Sequence, residues 1–152
     1  MKHFCEALTS EGKHEDLPEE YDYFGKLIGS WKIDYVDTSN SSVIKGEWHF
    51  SRVLEGMAIQ DVIVLPGFEY GTTIRVYNPG TNAWDVAYCY IGNIMRFEAE
   101  KQDNKIVLTN IEDERRKWVF AEIEENYFHW QDVTVREDGE WNVKYELYAE
   151  RI

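Results

Sequence analysis

The sequence predicts an all-β fold, a closed up-and-down antiparallel barrel of about ten strands, with a short N-terminal helix closing one end. Three observations carry this. Turn signals recur at roughly the 8–12-residue spacing of a sandwich or barrel. The segments between them alternate in polarity, and three hairpins read independently each present one mostly apolar face.

Residues 1–20 are polar, acidic and aperiodic, and are expected to form a flexible arm ahead of a barrel domain over 21–152. Leu17-Pro18-Glu19-Glu20 then reads as a helix start, with proline near the first turn and acids suited to the positive end of the dipole. Tyr21, Phe24, Leu27 and Ile28 make one apolar stripe at helical spacing, which Gly29 ends. Strands follow near 31–37, 44–54, 57–65, 71–78, 83–91, 94–101, 105–111, 115–123, 127–137 and 140–151. Ser39-Asn40, Glu55-Gly56, Pro66-Gly67, Asn78-Pro79-Gly80, Gly92-Asn93, Asp103-Asn104, Glu125-Asn126 and Asp138-Gly139 separate them.

Residues flanking a tight hairpin turn pair and share a face. Across Glu55-Gly56 the phase of Trp48, Phe50, Arg52 and Leu54 continues as Met57, Ile59, Asp61, Ile63 and Leu65. Across Gly92-Asn93, Trp84, Val86, Tyr88 and Tyr90 match Met95, Phe97 and Ala99. Across Asp138-Gly139, Phe128, Trp130, Asp132 and Thr134 match Trp141, Val143, Tyr145, Leu147 and Ala149.

A formal charge of −13 argues against nucleic acid or an anionic membrane as partner, since both attract basic surfaces. Only Cys5 and Cys89 are present, so no disulfide framework is expected and a reducing, cytoplasmic setting fits. The first twenty residues lack the apolar core of a signal peptide. Oligomeric state stays open, a homodimer included.

Gly29-Ser30-Trp31, with the helix before it and about ten strands after it, resembles the G-x-W signature of the calycins, the superfamily of lipocalins, fatty-acid-binding proteins and avidins. Among these the chain is most similar to small bacterial lipocalin-like proteins. The resemblance implies that the tryptophan opens the first strand inside the barrel and that a basic residue of the last strand lies across its ring. Arg151 is in phase with Tyr145 and Leu147 to do so, which makes Gly29, Trp31 and Arg151 the expected closure. Only Thr38 to Val43 joins the first two strands, so the helical lid of fatty-acid-binding proteins is not expected.

A barrel of this size holds side chains or one small ligand. The polar residues of the inner phase, Arg52, Asp61, Tyr88, Asp132 and Tyr145, therefore attract interest, because buried charges need partners. Arg52 should lie opposite Ile59 and diagonal to Asp61, within reach of an ion pair, while Asp132 should face Tyr145. One reading is a structural network. The other is a polar anchor in an apolar pocket, with Arg52 holding an anionic or carbonyl group and Trp48, Trp84, Phe97 and Trp130 as walls. Arg116, in phase with Trp118 and Phe120, is expected inward; Arg75, alternating with Ile74 and Val76, is expected outward.

The leading expectation is binding of a small apolar or amphipathic molecule inside the barrel. The alternatives are a cofactor-free enzyme using Asp61 or Asp132 as general base, and a protein-interaction module. No catalytic residue, cofactor or metal is assigned. His3, Cys5 and His14 lack a recognised ligand spacing. His49 and His129 fall out of phase for haem, and no serine has an in-phase histidine to activate it.

Overall fold

The computed structural model describes residues 3–152. A five-residue helix α1 (Phe4–Leu8) leads into the two-residue strand β1 (Thr9–Ser10), and two 3-10 turns follow at Glu19–Tyr21 and Tyr23–Leu27. Ten long strands come next: β2 (Gly29–Asp37), β3 (Val43–Val53), β4 (Ala58–Leu65), β5 (Glu69–Asn78), β6 (Ala83–Tyr90), β7 (Asn93–Gln102), β8 (Lys105–Asn110), β9 (Arg116–Ile123), β10 (Tyr127–Val135) and β11 (Trp141–Arg151).

Each long strand pairs antiparallel with its sequence neighbour, and β11 pairs with β2, so the ten strands close into a barrel. Closure removes the open strand edges that an unclosed sheet would present. β1 adds a short ladder at Val53 and Arg52 beside the end of β3.

The helical segment before the first long strand caps one end, with Leu17, Phe24 and Leu27 fully buried and Tyr23 nearly so. It winds as 3-10 rather than α. Gly25 at its centre weakens a regular helix, and its missing side chain is needed: a Cβ there would sit 2.5 Å from Arg52 Nη2. The indole N–H of Trp84 donates to Tyr21 O at 2.9 Å, and Phe24 meets the Trp84 ring edge-on at 5.2 Å. Residues 3–18 carry more structure than the expected aperiodic arm, since His14 N–H donates to Gly56 O and Leu17 enters the core.

The contact between Trp31 and Arg151 that the resemblance implied is present at the β2–β11 seam. Trp31 is fully buried, Arg151 lies opposite it in the β2–β11 ladder, and the guanidinium carbon stands 4.2 Å from the indole centroid. Arg151 also donates to the carbonyls of Ile28 (2.7 Å), Lys26 (3.0 Å) and Glu125 (2.7 Å). Gly29 is what lets it pass: its φ of +127° suits glycine, and a Cβ there would lie 2.5 Å from Arg151 Nη1.

The register holds around Glu55-Gly56, where Arg52 pairs with Ile59. At the hairpin between β6 and β7 the turn is Ile91-Gly92 and not Gly92-Asn93, which shifts the register by two, sets Val86 opposite Phe97 and keeps the expected face. The third hairpin departs near its turn. A bulge between Asp132 and Val133 keeps Asp132 opposite Tyr145 but sets Val133 opposite Val143 and Thr134 opposite Asn142. Beyond the bulge β11 exchanges faces, so Val143, expected inward, packs against the small second cluster of Val107, Val119 and Val133. Among the described residues no helix is long and apolar enough to cross a membrane.

Candidate functional site

The interior is packed at the capped end and hollow toward the other. Phe24, Trp31, Trp84 and Phe128 fill the capped end, where Trp31 and Phe128 meet edge-on at 4.7 Å. Farther along lies a cavity of about 90 Å³ bounded by Trp48, Trp118, Phe120, Trp130, Leu108 and Leu147, with Arg75, Thr73 and Asp132 among its polar walls. Tyr35, Glu69 and Arg116 sit at the strand ends away from the cap and border its outer part.

Five of the ten residues expected to contact a ligand border this cavity: Trp48, Tyr88, Arg116, Trp130 and Asp132. The other five lie behind or beyond it. Trp84 belongs to the capped end. Phe97 stacks behind Trp118 at 4.2 Å, and Tyr145 stacks on Tyr35 at 5.0 Å. Asp61 lies behind Arg75, and Arg52 turns toward the cap.

The arginines correct the sequence reading most. Arg52 does not pair with Asp61. It makes a two-pronged contact with Asp22 of the capping segment, at 2.9 and 2.8 Å. Arg75, expected outward, is 2% exposed and holds Asp61 at 2.7 Å. Ile59 pairs with Arg52 on one side and with Arg75 on the other, so the two guanidiniums share one row of the wall. Like charges side by side separate when each has its own carboxylate, and Asp22 and Asp61 supply one each. A hairpin signal existed for Arg75. Asn78 pairs with Ala83 across the Pro79–Asn82 turn, which places Tyr77 opposite Trp84 and Arg75 opposite Val86 on the inner face.

Buried polar groups are nearly always hydrogen-bonded, and here several are not. Arg75 Nε and Nη1, Trp48 Nε1 and Trp118 Nε1 have no hydrogen-bond partner among the described residues. All three side chains border the cavity. Trp118 Nε1 is directed at the Asp132 carboxyl, a contact that pulls the Asp132 pKa down although it falls short of a full hydrogen bond. Arg75 is flanked instead by the rings of Phe24 and Phe50, at 5.1 and 5.4 Å. Asp61 Oδ1 accepts from the Thr73 amide at 3.1 Å.

The outer part of the cavity is acidic and phenolic. Tyr88 donates to Glu69, and burial followed by that hydrogen bond pushes its phenol well above the ordinary range. Tyr35 is raised by burial and then by Asp132, so both phenols remain donors. Burial also raises the Asp132 carboxyl, against the opposing pull of Arg116 at 3.7 Å and of Lys144.

A raised carboxyl has a definite linkage sign. Between the ordinary carboxylate pKa and its raised value the folded chain binds more protons than the unfolded one, so Asp132 lowers stability as pH climbs through that window. Asp132→Asn is therefore expected to melt higher than wild type at pH 8, by about 2–4 °C, the shift ~1 kcal/mol produces at this length. The difference should vanish near pH 4. Thermal melts at both pH values check this, and a variant less stable at both would show that the charge is a net benefit.

Outside the barrel, Ser30 Oγ lies 2.8 Å from His49 Nδ1, and His49 Nε2 lies 3.4 Å from Glu47. The serine thus does have a histidine across the strand pair, contrary to expectation, but none of the three borders the cavity. His129 stacks on Tyr148 at 4.8 Å beside Glu146, also away from the cavity. Cys5 and Cys89 are free thiols.

No family model matches the sequence, and no curated protein matches it. A solved structure of a redesigned beta barrel is similar over 84% of this chain and 93% of that chain, at 14% identity and a TM-score of 0.45.

Proposed function

We propose that the barrel binds one small molecule in its interior, anchored through a hydrogen-bond acceptor by Arg75, Trp48 and Trp118. The observation that carries this reading is the set of unpaired N–H donors bordering one cavity. A buried donor left without any acceptor costs about 1–3 kcal/mol, so these N–H groups call for an acceptor in the cavity, and one guest can serve several of them at once. A few convergent polar groups among aromatic walls is the usual build of a small-molecule site. The calycin resemblance points the same way, supported by the joint geometry of Gly29, Trp31 and Arg151.

The size of the cavity narrows the guest. At about 10–15 Å³ of such space per water-sized probe, 90 Å³ takes a compact molecule of roughly six to nine non-hydrogen atoms. An extended acyl chain does not fit. The test is a ligand-observed NMR screen of fragments of that size against wild type and a Leu108→Phe variant. Leu108 is 1% exposed and borders the cavity, so phenylalanine fills it. Fragments should bind wild type and lose about tenfold or more in affinity to the filled, still cooperatively melting variant, as expected when a site's volume is occupied. A silent screen, or binding indifferent to the filling, would overturn the reading.

A further inference from the structure

The charges around the cavity say more about the guest than the donors do. Two guanidiniums, Arg75 and Arg116, stand against three carboxyl groups, Asp61, Glu69 and Asp132. Each guanidinium already faces a carboxylate, Arg75 with Asp61 at 2.7 Å and Arg116 with Asp132 at 3.7 Å. Glu69 accepts from a phenol, which neutralises nothing. The formal count is one excess negative charge before any guest enters.

Apart from Asp61 Oδ2, which sits 2.7 Å from Arg75 Nη2, what remains unpaired is donor capacity without surplus positive charge. The free donors are two nitrogens of Arg75, Nε and Nη1, whose charge Asp61 already balances, and the neutral indoles of Trp48 and Trp118. A carboxylate guest could use these donors, but it would add a second uncompensated negative charge near Glu69 and Asp132 in a site of low dielectric. A cationic guest would suit the count, yet it would point protons at protons. A neutral carbonyl oxygen accepts from the same donors and adds no charge. The walls are flat rings, with Trp118 and Trp130 centroids 5.8 Å apart and Trp48 and Trp130 crossing edge-on at 6.1 Å. A planar guest meets such walls best.

We infer that the molecule held in this barrel is an uncharged planar carbonyl compound, an amide, ketone or aldehyde on a ring, and not the acid that an interior arginine first suggests. The inference rests on the binding role proposed above. Protonation of Asp132 does not rescue an anionic guest: the count then becomes zero, with no cation left over.

Three probes of one shape and nine non-hydrogen atoms separate the cases: benzamide, benzoate and benzamidinium. Titrated at pH 7 into nitrogen-15-labelled wild-type protein, benzamide should bind at least about tenfold tighter than either charged analogue. It should move the indole N–H signals of Trp48 and Trp118, identified by their loss in Trp48→Phe and Trp118→Phe. Trp48→Phe keeps a smaller aromatic ring and removes the N–H donor, so benzamide affinity should fall about two- to tenfold, the range of one neutral hydrogen bond. Benzoate or benzamidinium binding tighter than benzamide would overturn the inference and leave the binding role standing. If other fragments bind in the screen but none of the three does, the planar carbonyl class is wrong. If nothing binds in either experiment, the binding role fails and this inference with it.

Discussion

Arg75→Met should destabilise the barrel by about 3–5 kcal/mol, the cost of leaving a buried charge without its partner. Asp61 is 1% exposed, and its remaining contact is one backbone amide. Methionine fills much of the arginine's volume between Phe24 and Phe50, so the loss reports the stranded carboxylate and not a void. The second arm of the experiment is Arg75→Met combined with Asp61→Asn. Asparagine removes the charge and keeps an acceptor for the Thr73 amide, so the double variant should recover most of the loss. Urea unfolding of the four proteins gives the coupling directly. A single variant that loses less than about 1 kcal/mol would mean that the pair is not a closed charge balance, and the charge count in the cavity would fall with it. The double variant has a further use: folded but lacking the guanidinium donors, it should bind the cavity fragments weakly.

Trp31→Ala should cost about 3–5 kcal/mol, as for removal of a large buried ring. The indole is fully buried, meets Phe128 edge-on, and donates to Leu27 O at 2.8 Å. Arg151→Met should cost less, about 2 kcal/mol, from lost charge-assisted hydrogen bonds and the cation over the ring. Because the two side chains touch and hold the same capping segment, their losses should be sub-additive in the double variant. Hydrogen exchange localises the effect: amides of residues 23–28 should lose protection before those of the β5–β6 hairpin. Strictly additive losses, or uniform exchange along the chain, would show that ring and guanidinium do not act as one latch.

Much of the architecture was readable because strand patterning is local. Alternation with a period of two, turn signals at Glu55-Gly56 and Gly92-Asn93, and matching apolar phases are properties of neighbouring residues. They gave the pairs Arg52–Ile59 and Asp132–Tyr145 and the shared face of Val86 and Phe97, though not that pair's register. The latch was readable because the resemblance carried Trp31 and Arg151 as a pair.

The site was less readable, for physical reasons. A bulge opposite Asp132/Val133 inserts Lys144, which no periodicity announces, and it exchanges faces for the part of β11 between it and the turn. The turn before β5 did not fix the register of Arg75, so an inward guanidinium was read as outward. Trp118 was noted only as a phase marker, yet it brings one of the unpaired donors to the cavity.

The sequence by itself determined the ten strands and their neighbour-to-neighbour order, because these follow from local pattern, while the cap and the latching ring came through the calycin resemblance. Only the tertiary structure decided which carboxylate each arginine answers, and hence which N–H groups are left facing an empty volume. Long side chains choose partners across strands by distance and charge, and those distances exist only once the barrel has closed.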